Sequence, residues 1–204
     1  MSRHNPTRSD NLRRALAQEA ARIMAEHGIR DFLIAKRKAA ERMGVTDVAA
    51  VLPRNVEIED ALAEYQRLFG GESHVESLHA QRRAALNAML YLQEFEPRLV
   101  GAVLSGTATE HSDVQLHLFT DSAESVALKL MDQRVPYEVT ERRVKMNAER
   151  VLAYPGVRFE MDDYEIEATV FPTDGIRQAP VSPVDGRPMK RANAFEVEAL
   201  LSMG

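Results

Sequence analysis

Asp113, Gln115 and His117 occupy alternate positions of SDVQLHLF, and the positions between them are Val114, Leu116 and Leu118. Strict alternation of this kind marks a strand with one buried face. The acid, the amide and the imidazole therefore share the other face. Upstream, Leu99 to Leu104 reads as an apolar strand running into the small-residue turn Ser105-Gly106-Thr107. A glycine turn lets backbone N–H groups and hydroxyls approach phosphate oxygens closely. A carboxylate is the oxygen ligand that Mg²⁺ prefers, and His117 offers a metal ligand or a contact to phosphate. Taken singly, each residue has an ordinary use: an acid before a strand forms turns, and Gln115 and His117 suit the polar side of a half-exposed strand. Together, a core face backed by functional groups beside a glycine turn points to a site.

This stretch resembles the signature of the nucleotidyltransferase superfamily, the DNA polymerase β-like fold. That signature is a strand, a Gly-Ser or Gly-Gly loop, then a strand carrying Asp-x-Asp or Asp-x-Glu. Ser105-Gly106-Thr107 stands for the loop and Asp113-Val114-Gln115 for the acidic pair, over a resemblance spanning about residues 98–171. Two positions depart from it: Gln115 replaces the second carboxylate, and Thr107 replaces the small residue after the glycine. The resemblance implies in-line displacement at phosphorus assisted by two Mg²⁺ ions, with a third acid on a later strand. Ile166-Glu167-Ala168 matches that later segment best, and Glu165 is the runner-up. Asp113 and Glu167 are thus the implied catalytic metal ligands. Ser105, Gly106, Thr107, Gln115 and His117 are the implied phosphate- or substrate-binding residues. The implied activity moves a nucleoside monophosphate from an NTP to an acceptor. The missing second carboxylate keeps a second reading open: a degenerate fold that binds a nucleotide, a nucleic acid or a protein without turnover.

The flanking elements must hold these residues in place. Residues 9–96 read as all-helical. One helix ends at Gly28; a second, capped by Asp31, carries Lys36, Arg37, Lys38 and Arg42 beside a buried Phe32, Leu33, Ala40 and Met43. A short helical piece follows at Thr46 to Leu52. Ile58, Leu62, Tyr65 and Phe69 form the stripe of the next helix. Ser73 with Glu76 reads as the capping box of a long helix facing inward through Leu78, Ala85, Met89 and Leu92. After Pro97 the pattern changes to strands. Tyr137 to Met146 reads as one, Pro155-Gly156 as a turn, and Val157–Met161 with Tyr164–Val170 as a hairpin across Asp162-Asp163. Thr173 to Lys190 is a Pro- and Gly-rich loop, and Asn193 with Glu196 caps a last helix. The expected fold class is α+β, with a helical region over 1–97 and a small mixed sheet with flanking helices over 98–204.

Composition narrows the choices further. The chain has 204 residues, 45% of them hydrophobic and 28% charged, and no cysteine. Disulfides, thiolate metal sites and cysteine nucleophiles are excluded. No apolar run approaches the roughly 20 residues of a membrane span, and a cytoplasmic location is expected. There is no G-x-S-x-G, HExxH or Walker A motif. The net charge of −5 is uneven: residues 1–54 hold 11 Lys and Arg against 6 Asp and Glu. A basic helical arm of that kind suits either nucleic acid or the protein's own acidic surface.

Overall fold

In the computed structural model, residues 8–45 and 51–202 are described. They form an α+β protein whose helical N-terminal half precedes a mixed sheet. Two compact units are present. One comprises the chain up to His74 with Pro183–Asp185, and the other the rest from Val75 on.

The first unit contains α1 (Arg8–His27), α2 (Phe32–Arg42) and α3 (Asn55–Tyr65). Asp31 caps α2 as expected, its side chain accepting from the Ile34 N–H at 2.9 Å. The core is built from Leu16, Ile23, Met24, Ile58 and Leu62 with the alanines 17, 20, 21, 35, 39 and 40. Small residues let these helices approach closely. That changes which side of α2 is buried: its three alanines face inward, while Leu33 and Met43, expected inside, are exposed. Phe69 is also exposed, because the helix widens into a π turn over Gln66–Gly70 that breaks the stripe's period. The short helix expected at Thr46–Leu52 falls mostly on residues outside those described.

The second unit is a sheet with helices packed on one face. Helix α4 (Gly71–Tyr91) starts two residues before Ser73, so the expected capping box at Ser73 and Glu76 lies inside the helix. The sheet comprises β1 (Arg98–Val100), β2 (Val114–Phe119), β3 (Tyr137–Lys145), β4 (Val151–Met161) and β5 (Tyr164–Phe171). Its order is β1-β2-β5-β4-β3. All neighbours are antiparallel except β2 and β5, which run parallel. Leu99 to Leu104 is not one strand. β1 stops at Val100, Gly101 takes φ +72°, and α5 (Gly101–Ser105) follows. Nor is Pro155-Gly156 a turn; both lie within β4. The pairing of β4 with β5 ends at Gly156, so Pro155 sits at the margin of that ladder, where a missing N–H is tolerated. The hairpin at Asp162-Asp163 forms as expected, both residues taking positive φ.

Val114, Leu116, Leu118, Val157, Phe159, Ile166, Ala168 and Val170 make one sheet face. They pack against Ala85, Ala88 and Met89 of α4, Leu92 just beyond its end, Val126 and Leu130 of α6 (Ala123–Asp132), and Val197 of α7 (Ala194–Ser202). Asn193 and Glu196 cap α7 reciprocally: the Asn193 N–H donates to Glu196 at 2.7 Å, and the Glu196 N–H to Asn193 at 3.0 Å. Asn193→Ala removes one half of this exchange at a helix whose Val197 is fully buried. It is expected to lower stability by about 1 kcal/mol, as read by urea denaturation.

Candidate functional site

The other side of the sheet carries a row of polar residues, beside an apolar cluster around Phe119, Phe171 and Tyr154. Directly paired residues share a face, so the register gives the layout. Gln115 pairs with Glu167, and Glu167 pairs with Arg158. His117 pairs with Thr169, and Thr169 with Gly156. Asp113 immediately precedes Val114, whose partner is Ile166. The parallel β2–β5 pairing thus sets the Asp113-Gln115-His117 series alongside Glu165, Glu167 and Thr169.

Basic residues from the outer strands reach this acidic row. Arg142 of β3 donates through Nη1 to Oε2 of Glu167. Burial pulls its guanidinium below the usual arginine range; Asp113 acts in the opposite direction, and Arg158 adds to the lowering. Arg158 of β4 lies 3.4 Å from Glu165 and 3.5 Å from Glu138. Neither arginine was singled out in the sequence as a site residue. Only the strand order brings them to the carboxylates.

The glycine turn takes a different place from the one its sequence suggests. Gly106 ends α5 with φ +86°, and the N–H groups of Gly106 and Thr107 both donate to Ala102 O, at 2.9 and 3.0 Å. The Ser105 and Thr107 hydroxyls bond each other at 2.9 Å. A Cβ on Gly106 would face Arg82 and Leu78 of α4. The glycine that abuts the functional strand is Gly101, where a Cβ would come within 2.7 Å of Gln115 Oε1. Helix α4 anchors the connection before Asp113. The fully buried Gln81 donates to Thr109 O at 2.7 Å, and Arg82 Nε to Val103 O at 3.2 Å.

His117 is buried, and it serves Arg191. Arg191 Nε donates to His117 Nδ1 at 3.0 Å, so the neutral ring carries its proton on Nε2. Burial, then the charges of Arg191 and Arg142, lower its pKa to about 3. The Arg191 guanidinium packs over the rings of Phe119 and Phe171 and bonds Gly175 O at 2.9 Å. This ties the Pro- and Gly-rich loop to the C-terminal part of the polar face.

In the first unit, part of the basic charge is met locally. Arg42 pairs with Glu19 at 3.2 Å and donates to His27 Nε2 at 3.1 Å. Arg22 pairs with Glu19 and Glu26. Burial holds Lys36 below the usual lysine range, with Glu57 opposing.

No helix among the described residues is long and apolar enough to cross a membrane. Among the same residues, no group of three or more His, Cys, Asp or Glu gathers as a metal cluster. Set against models of known protein families the chain matches none, and no curated protein matches it.

Proposed function

We propose that the chain is a nucleotidyltransferase-like protein that takes a nucleotide on the polar face of its sheet, with Asp113 and Glu167 holding Mg²⁺ against the phosphates. The observation that carries this reading is the parallel β2–β5 register, which puts the Asp113-Gln115 segment alongside Glu167 on one face. Mg²⁺ is commonly bound by one or two carboxylates together with substrate phosphates and water. One acid just before β2 and one on the adjacent β5 fit that requirement for one ion. When bound, the ion would neutralise phosphate charge and polarise the phosphorus centre. Gln115 would hydrogen-bond the substrate beside it, and Gly101 leaves the space in which its amide sits. Transfer of a nucleoside monophosphate to an acceptor, in the cytoplasm, is the activity this arrangement would serve. Nucleic acid, as a partner of the basic residues of α1 and α2, belongs to the same proposal.

A second reading has an observation of its own. Arg142 already bonds Glu167, and Gln115 brings no charge, so the same face suits a module that binds a nucleotide without turnover. Calorimetric titration of the four NTPs, with and without Mg²⁺, tests both. Mg²⁺-dependent binding by the wild type, weakened about a hundredfold or more in Asp113→Ala, is the expected result. Binding that ignores both Mg²⁺ and the substitution would favour the second reading. Absence of NTP binding would overturn both.

A further inference from the structure

We propose that Arg142 is itself a phosphate-binding residue and fills one of the two cation positions that phosphoryl displacement uses, so that the nucleotide meets one Mg²⁺ and one guanidinium. This rests on the nucleotide reading above and specifies its ligand chemistry.

The geometry of the sheet carries the argument. β3 is an edge strand, and its Arg142 stands opposite Tyr154 of β4. Yet Arg142 bonds Glu167 on β5, two strands away. Its diagonal path passes the row Thr140-Gly156-Thr169. Gly156, with no side chain, leaves the middle of that row clear. The arginine therefore spans three strands to reach the acid that faces Gln115.

Charge explains what it does there. Asp113 and Glu167 carry two negative charges, and Arg142 offsets one. With a single Mg²⁺, the two carboxylates and a triphosphate still carry an excess of negative charge, and the Arg142 guanidinium offsets part of it. The amide of Gln115, in place of the second carboxylate, is consistent with a single ion. A guanidinium has five N–H donors in a planar fork. One nitrogen holds Glu167, and the side chain retains 39% of its exposure. The remaining donors can take two phosphate oxygens in a charge-assisted pair.

The test uses the full chain, Mg²⁺ and the NTP that binds wild type most tightly, with Mn²⁺ counted by electron paramagnetic resonance in place of Mg²⁺. Arg142→Gln is expected to weaken NTP binding about tenfold or more. Arg142→Lys, which keeps the charge and can keep the pair with Glu167, is expected to fall between the two. Arg143→Gln, on the opposite face of β3, is expected to bind like wild type. Wild type is expected to bind one Mn²⁺ per chain in the presence of NTP. Should Arg142→Gln prove poorly folded by thermal melting, the loss in Arg142→Lys carries the test. Unchanged or tighter NTP binding in the arginine variants, or a second Mn²⁺ gained with them, would overturn the inference and make Arg142 a plug on a metal position. The nucleotide reading would survive that result. No NTP binding by wild type would overturn the reading, and the inference with it.

Discussion

Gly156→Val is expected to destabilise the sheet by about 3 kcal/mol, the upper end of the cost of overpacking a close-fitted interior. Gly156 sits in two ladders at once, opposite Thr140 of β3 and Thr169 of β5. A Cβ at this position would lie 2.7 Å from the carbonyl oxygen of Ala168 and 2.8 Å from Thr140 Oγ1. The threonine can rotate aside. The carbonyl is backbone within a paired strand, so β4 would have to draw back from β5. Alanine introduces the same first contact without the branches and is expected to cost about 2 kcal/mol. Urea denaturation followed by circular dichroism measures both. A valine variant within about 0.5 kcal/mol of wild type would show that the β4–β5 contact is softer than its geometry implies.

The second large effect is a pH dependence centred on His117. Its pKa is lowered to about 3 in the fold, chiefly by burial, against an ordinary value of about 6.5 in the unfolded chain. Between these values the unfolded chain binds a proton that the folded protein refuses. Stability is therefore complete above about pH 6.5 and falls as pH drops towards about 3. The slope is about 1.4 kcal/mol per pH unit for one proton, so about 2 kcal/mol is lost by about pH 5. His117→Gln removes the titration while leaving an oxygen that can accept from Arg191. The difference in unfolding free energy between about pH 7.5 and pH 5 is expected to shrink by about 2 kcal/mol in this variant. An unchanged difference would mean that His117 becomes charged within the fold and that Arg191 moves away from it.

Strand β2 is legible in the sequence because the face it turns to the helices is entirely apolar. Val114, Leu116 and Leu118 are all fully buried, and that apolar face is what enforces alternation. The β4–β5 hairpin and the Asn193–Glu196 cap are legible for a similar reason, since each depends on residues a few positions apart. Leu99 to Leu104 misleads because a continuous apolar run suits a buried strand and a short buried helix equally. The decision there lies with Gly101, whose left-handed backbone turns the chain beside Gln115. Pro155-Gly156 misleads for the opposite reason. Its turn-forming residues serve a ladder margin and a close approach between strands. The acids Asp113 and Glu167 can be picked out by local pattern, but Arg142 and Arg191 cannot. Their places follow from the order β2-β5-β4-β3 and from where the loop returns, and neither is encoded in any short window.

The single parallel pairing also sets the order in which the site can be completed. β1 with β2, joined through α5, and β3 with β4 and β5, joined by short turns, are antiparallel groups close in sequence. Each can form by local encounters, at small cost in chain entropy. The β2–β5 seam joins them only by closing a loop that contains α6, β3 and β4. Gln115 and Glu167 face each other across that seam. Neither half-sheet carries the candidate site alone, so its residues come together with the long-range step that makes the sheet whole.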